Sequence, residues 1–300
     1  MYFVTYLEMG VEKVGILNQN KTGVIHLEKV FEQFSLGNPP KSMQELIEIF
    51  DENLLGKVQE IADKALAIQA VDLKEVKLCA PIPYPKRNIF CVGKNYADHA
   101  KEVGTAMGSE GDVPENPIYF SKIASPATGD GDVIVYEPDV VRKLDYEVEL
   151  GVIIGKEGKN IPRDKAEEYI FGYTIINDVS ERGLQKLHVQ WHKGKSLDTF
   201  CPMGPYLVHK SVISFPVDLE ISCSVNGEIR QQSKTSNFIF DIPTIIEDLS
   251  KGMTLKPGDI IATGTPAGVA MGFIPPKFLK PGDVVTCTIE KIGSITNFVK

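Results

Sequence analysis

The sequence predicts an α+β chain that is mainly β: a curled mixed β-sandwich or β-roll preceded by a small α+β N-terminal domain. Three observations carry this. Strand-like segments outnumber helical ones and are not regularly separated by them, which argues against a doubly wound sheet. SVNGEIR contains the Asn226-Gly227 pair expected of a type I′ hairpin turn, and KPGD occurs twice, before IIATG and before VVTCTIE. Finally, Pro81, Pro83 and Pro85 of APIPYPKRN forbid helix and disfavour a central strand, placing a boundary between residues 1–80 and 81–300.

Taken in order, residues 1 to 35 alternate as short strands broken by the polar turn NQNKTG. Ser42 then opens SMQE, a capping-box signature, and Leu46, Ile47, Phe50, Leu54, Val58, Ile61 and Ala65 follow at helical spacing. Beyond the prolines, IFCVG (89–93) reads as a buried strand, and so does FGYTIIND. Helical patterns there are few, chiefly residues 164–171, 180–192 and 241–251. No solenoid period and no low-complexity segment interrupts the chain.

At 300 residues, with 43% hydrophobic and 24% charged side chains, the chain can bury a sizeable core. Its net charge of -8 argues against a sequence-independent nucleic-acid binder, which needs a basic face, so the expected partner is a small molecule. MYFVTYLEMGVEK carries acids where a secretory signal would be basic and then apolar, and no apolar run is long enough for a membrane-spanning helix. The five cysteines are scattered and form no CxxC pair, which fits a reduced cytoplasmic compartment.

Chemistry concentrates in RKLDYEVELGVIIG, residues 142–155. On a strand, Asp145, Glu147 and Glu149 share one face while Tyr146, Val148 and Leu150 share the other. Neighbours on that face lie about 6.7 Å apart, and each like-charge pair costs on the order of 2 to 3 kcal/mol at an effective dielectric of ~20. Something cationic must offset this. A row of carboxylates is a hard oxygen set suited to Mg²⁺, Mn²⁺ or Ca²⁺, with Asn177-Asp178 at the end of FGYTIIND as a further ligand source. The alternative is a solvated strand face paired with lysines across the sheet.

In CVGKNYADHAKEVG, His99 and Glu102 stand three apart, so on a helical turn the carboxylate can orient the imidazole and raise its basicity. HxxE alone is short and common, and a surface pair is the competing reading. GKSLDTFCPMGP is not a phosphate loop, because Val189 stands where GxxxxGKS needs glycine, but Lys195 could place a fixed charge against a substrate carboxylate or enolate oxygen. His188 and His192 have zinc spacing without the HExxH glutamate, so solvent-facing histidines beside a packed Trp191 are expected. TGTPAG (263–268) offers backbone N–H groups and hydroxyls to an anion, or is simply a tight turn, and the absence of GxSxG leaves a serine hydrolase unsupported.

In order, KNYADHAKE, NPIYFSK, DYEVEL, NDVSERGLQ, GKSLDTFCPMGP and TGTPAGV resemble the fumarylacetoacetate hydrolase superfamily over about residues 86 to 299, with a front segment like that of a bacterial subgroup. The resemblance implies metal ligands at Glu147, Glu149 and Asp178, with Asp145 a neighbour, and one Mg²⁺ or Mn²⁺ per subunit. It implies a catalytic dyad of His99 and Glu102, with Lys195 beside the metal and substrate contacts from Lys122, Arg182, Gln185 and Thr265. Glu181 and Gly183 depart from the family's NDVSARDLQ, so Arg182 lacks the acid that commonly follows it.

The chemistry so implied is C–C cleavage of a small 2-oxo acid through a metal-stabilised enolate, by acylpyruvate hydrolysis or oxaloacetate decarboxylation. The rival within the family is isomerisation or decarboxylation of hydroxy-diene or oxo-diacids in aromatic catabolism. A metal-holding scaffold without turnover is the rival from another class. A homodimer is the expected assembly.

Overall fold

The computed structural model describes residues 1–64, 70–107 and 113–300; Ala65 of the helical pattern lies outside them. One long sheet dominates. Across it the strands run Val71–Asp72, Gly23–His26, Val11–Leu17, Tyr2–Glu8, Met203–His209, Ile170–Asn177, Val148–Ile154, Ile260–Ala262, Ile89–Gly93 and Ile118–Lys122. A five-stranded sheet of Glu228–Lys234, Glu220–Val225, Val284–Ile289, Gly293–Val299 and Val133–Ile134 faces it. The architecture is the mainly β α+β class that the sequence predicts, with no closed barrel.

The long sheet is buried on both faces, which explains why GVIIG is apolar without alternation. Leu150, Val152 and Ile154 point into the core shared with the five-stranded sheet, beside Ile175, Ile221 and Val285. Ile153 points the other way, into a core with Phe3, Ile16, Leu46, Ile47 and Val58. Residues 1–26 extend the same sheet, because Tyr2 pairs with Val208 and Phe3 with Leu207. The N-terminal helices cover this second face, with Phe50 edge-on to Phe171 at 5.1 Å and 5.4 Å from the His209 ring.

Local chemistry fixes the ends of these elements. Ser42 caps Met43–Ile49 by accepting from the Glu45 N–H at 3.2 Å. The expected single helix is broken after Ile49, and a second one, Glu52–Lys64, begins where Asp51 accepts from the Leu54 N–H at 2.7 Å. Asn226 and Gly227 have φ of 52° and 82°, as the hairpin turn requires. The two KPGD segments form the same turn twice: Asp259 accepts from the Lys256 N–H and Asp283 from the Lys280 N–H, with Gly258 and Gly282 at positive φ.

The expected continuous strand over 142–155 is interrupted. Leu144–Asp145 pairs with Ser180–Glu181, and only Val148–Ile154 joins the long sheet. Side chains take the intervening backbone donors: Asp145 accepts from the Tyr146 N–H, Asn177 Oδ1 from Glu147, and Gln231 Oε1 from Val148. The row of acids is therefore held within the protein instead of on a solvated face.

Burial chiefly, with the N-terminal amine and Lys210 adding repulsion, pushes the His209 imidazole down to about 4. A depressed histidine contributes stability that is present above its unfolded pKa, near 6.5, and is lost as pH falls toward 4. Urea unfolding should therefore lose about 3 kcal/mol from this residue between pH 7 and pH 4. His209→Phe should flatten that acid limb; an unchanged limb would remove the assignment.

Candidate active site

The carboxylates converge where strand Val148–Ile154 meets the end of Ile170–Asn177. Ligand oxygens of Glu147, Glu149 and Asp178 lie within 4.8 Å of one another, and all three residues are buried. Lys195 Nζ donates to Glu147 and Asp178, each at 2.6 Å. Arg182 Nη2 donates to Glu147 at 2.6 Å, its Nε to Asp145 at 2.9 Å and its Nη1 to Gln185 Oε1 at 3.0 Å. Burial opposes ionisation of Glu147, but Lys195 and Arg182 outweigh it and hold the carboxyl far below the usual range.

Glu149 lacks such a partner. Burial first, then the charges of Asp178 and Glu147, push its carboxyl well above the usual range, and the Gly264 N–H at 2.9 Å offsets this only in part. Asp178 Oδ1 is buried without a hydrogen bond. Lys122 Nζ sits 3.0 Å from it, yet its three hydrogens are given to the carbonyls of Val179, Lys195 and Phe200, so the lysine supplies charge alone. Three buried carboxylates that converge within 4.8 Å and repel one another form an all-oxygen set that fits a hard divalent cation.

A cavity of about 90 Å³ opens over this cluster. Glu147, Glu149, Arg182, Gln185, Lys195 and Thr265 line its polar side, with His99 among them; Val92, Val103, Phe120, Trp191 and Met271 form an apolar wall. His99 Nδ1 lies 3.2 Å from Glu102 Oε2, so the carboxylate accepts from Nδ1 and Nε2 is left as the basic nitrogen. Glu102 Oε1 accepts from the Gly268 N–H at 2.9 Å. Since Arg182 occupies Gln185 Oε1, the Gln185 amide presents N–H donors, and Thr265, which accepts from Gln231 at 2.7 Å, keeps its hydroxyl proton to donate. The polar side of the cavity is built to receive acceptor oxygens.

Local folding explains this convergence. Lys94 at φ 54° turns the chain out of strand Ile89–Gly93, and Asn95 anchors the turn on the carbonyls of Phe240 and Thr263. Helix Ala97–Met107 then carries His99 and Glu102 on one face. Gly194 lets the short helix His192–Lys195 close onto helix Arg182–Leu187, for a Cβ there would lie 2.6 Å from the Gln185 nitrogen. Glu181, the departure from the family pattern, caps that second helix by accepting from the Leu184 N–H.

Most of the expected site residues line this cavity; Glu102 and Asp178 stand just behind His99 and the glutamates, and Lys122 does not reach it. It lies behind the carboxylates, fully buried, and supports Asp178 instead of reaching a ligand. Asp145 replaces the missing acid after Arg182. Of the two histidines expected to face solvent, His188 does, whereas His192 is half-buried with Nδ1 3.0 Å from the Ser121 hydroxyl. Trp191 faces the cavity, packed at 5.2 Å on Phe120 and against Gly93, where a Cβ would come within 2.4 Å of its ring. Sequence reasoning missed Trp191, Phe120 and Gln231; only the tryptophan's place beside GKS hinted at its role.

Fold and site together define a β-roll protein with a buried oxygen-ligand cluster facing a histidine–carboxylate pair. The chain belongs to the fumarylacetoacetate hydrolase family: the model described as fumarylacetoacetate (FAA) hydrolase C-terminal matches residues 88–300. It is 56% identical over 225 residues to the oxaloacetate tautomerase YisK of Bacillus subtilis, covering 75% of this chain and 73% of that one. The fumarylacetoacetate hydrolase of Exiguobacterium antarcticum superposes with a TM-score of 0.82 at 38% identity, covering 100% of this chain and 99% of the other. A maleylpyruvate hydrolase of Sphingobium sp. SYK-6, solved with manganese(II) and pyruvate, gives 0.76 at 28% identity, covering 100% and 98%.

Two substitutions separate ligand from support. Asp178→Asn should weaken Mn²⁺ binding about a hundredfold in a spectroscopic titration, whereas Lys122→Met should lower stability by about 3 to 5 kcal/mol, because it leaves three buried carbonyls unpaired and removes one of the two cations beside Asp178. A Lys122→Met protein that melts normally and shows only a raised KM would put Lys122 back among the substrate contacts.

Proposed function

We propose that this protein is a divalent-cation-dependent enzyme acting on small 2-oxo acids through the enolate, with oxaloacetate as its first substrate. The observation that carries this reading is His99 Nε2, oriented by Glu102 at 3.2 Å, facing across one small cavity the cluster of Glu147, Glu149 and Asp178. A scaffold would need the ligands but not an oriented base. The name of the tautomerase relative supplies the substrate.

Mg²⁺ or Mn²⁺, when held by Glu147, Glu149 and Asp178, supplies Lewis acidity to the carboxylate and 2-oxo oxygens. The protein's own groups do the rest. Gln185 and Thr265 donate to the substrate's oxygens and fix its plane, and the Lys195 ammonium stabilises negative charge that develops on the 2-oxo oxygen. His99 Nε2 takes a proton from C3, and Glu102 stabilises the imidazolium that results. Return of a proton to the enolate oxygen completes keto–enol tautomerisation.

C–C cleavage draws on the same charge stabilisation but begins from the keto acid with C3 still protonated. In decarboxylation the C3–C4 bond breaks, CO₂ leaves, the bonding pair passes to the 2-oxo oxygen as the pyruvate enolate, and a proton is delivered to C3. In acylpyruvate hydrolysis His99 takes a proton from water, whose oxygen attacks the distal carbonyl; the C3–C4 bond then breaks to release a carboxylic acid and the pyruvate enolate, which takes the proton from His99 at C3. The maleylpyruvate hydrolase relative with bound pyruvate favours keeping this second reading. The working unit is read as a homodimer in a reducing cytoplasm, consistent with five free cysteines.

Purified protein should accelerate oxaloacetate enolisation or pyruvate formation with Mn²⁺ beyond the metal's own rate, and chelation should abolish it. His99→Ala should lower kcat about a thousandfold while holding Mn²⁺ near normally. Acetylpyruvate cleavage without oxaloacetate turnover would transfer the assignment to hydrolysis. No turnover of either acid would reject the proposal.

A further inference from the structure

Asp145 is the most deeply committed acid of the site, yet it is outside the ligand cluster. It is fully buried and accepts four donors: Oδ1 from the Tyr146 and Ala270 N–H groups at 2.9 and 2.7 Å, Oδ2 from Met271 N–H and Arg182 Nε at 3.1 and 2.9 Å. Two of these donors belong to the turn after TGTPAG. That same turn gives its Gly268 N–H to Glu102 and leaves room for the Glu102 carboxylate at Gly272, where a Cβ would lie 2.1 Å from Oε1. The Tyr146 hydroxyl donates to the Gly268 carbonyl at 2.9 Å, so the segment beside Asp145 grips the turn a second time.

From this we propose that Asp145 is a positioning residue that sets the spacing between the two halves of the active site. It holds Arg182, and through it Glu147 and Gln185, on the cation side. Through the 268–272 turn it holds Glu102, and through Glu102 the His99 ring, on the base side. Only a carboxylate can do both, because the two donors on each oxygen leave no lone pair to spare. An asparagine of the same shape would turn an amide N–H₂ toward either Ala270 and Tyr146 or Met271 and Arg182. The consequence for catalysis rests on the proposed acid–base role of His99; the structural link to helix Ala97–Met107 does not.

The test is Asp145→Asn, alone and combined with Glu102→Gln, read by hydrogen exchange, Mn²⁺ titration and steady-state kinetics on the intact chain. Exchange should rise both in residues 268–272 and in helix Ala97–Met107, whatever the activity. With oxaloacetate, kcat should fall about tenfold or more with Mn²⁺ affinity within about threefold, and the loss in the double variant should fall short of the product of the two single losses. Faster exchange at 268–272 with the helix unchanged, or kinetic effects that multiply in the double variant, would overturn the proposal. Should Asp145→Asn fail to fold, Ala270→Pro removes one donor to Asp145 and should speed exchange in the same helix, an unchanged helix again overturning it. If the unaltered protein turns over no oxo acid, the functional reading fails while the exchange experiment still decides the role of Asp145.

Discussion

The site depends on one electrostatic constraint: the protein buries four acids, Asp145, Glu147, Glu149 and Asp178, against three permanent cations, Lys122, Arg182 and Lys195. The pairing is uneven. Glu147 is held by two cations and Asp145 by Arg182 and backbone donors, whereas Glu149 has only the Gly264 N–H. The least compensated acid, Glu149, is therefore one that lines the cavity. Ionising a buried carboxyl in that condition costs several kcal/mol, which a bound cation would offset. A divalent ion would reverse the local sign and prepare the cavity for an anionic substrate.

The fold delivers these charges because its long sheet is covered on both faces. Side chains of Val148–Ile154 are locked in two cores, which leaves the end of the strand as the place where polar groups can gather. There the ladder is given up: Asn177, Gln231 and Asp145 itself take backbone donors that a regular strand would have used. Losing the ladder costs little when each N–H is paired elsewhere. In return, Asp145 and Glu147 are freed from the alternation of a flat strand, one turning to Arg182 and the neighbouring peptide turn, the other to the cavity.

What could be read from the sequence was whatever local spacing determines. Glu147 and Glu149 two apart, His99 and Glu102 three apart, and Asp178 at the end of an apolar run each declare a shared face or a strand terminus. The β-rich class was legible from turn chemistry, as Asn226-Gly227 and the repeated KPGD show. Lys122 misled because a lysine in a motif says nothing about which side of the motif faces a ligand; its ammonium points to carbonyls from residues 179, 195 and 200, which no spacing reveals. Gln231 and Asp145 were equally hidden, since their partners lie 34 and 125 residues away in sequence. The break at Phe50 was invisible for another reason: Phe50 fits the helical period, but packing against Phe171 and His209 overrides it.

The apolar wall bears on which reaction the enolate enters. Tautomerisation needs only that a proton leave C3 and another arrive at oxygen, so a small closed cavity suffices. Acylpyruvate hydrolysis needs room for a water beside the distal carbonyl and for the acyl chain beyond it. Here Trp191 leans on Gly93 and Phe120 and narrows the apolar side of the cavity. Arg182, the cation that could meet a second carboxylate, has three of its five N–H donors engaged by Asp145, Glu147 and Gln185. On the proposed chemistry, a four-carbon diacid whose distal carboxylate lies toward His99 and Lys195 would meet an imidazolium that favours keeping it and an apolar wall that favours its loss as CO₂. On that chemistry the balance between proton return and C–C cleavage would be set by how firmly Trp191 and Glu102 hold that end of the cavity, because the carboxylate cluster would serve both reactions alike.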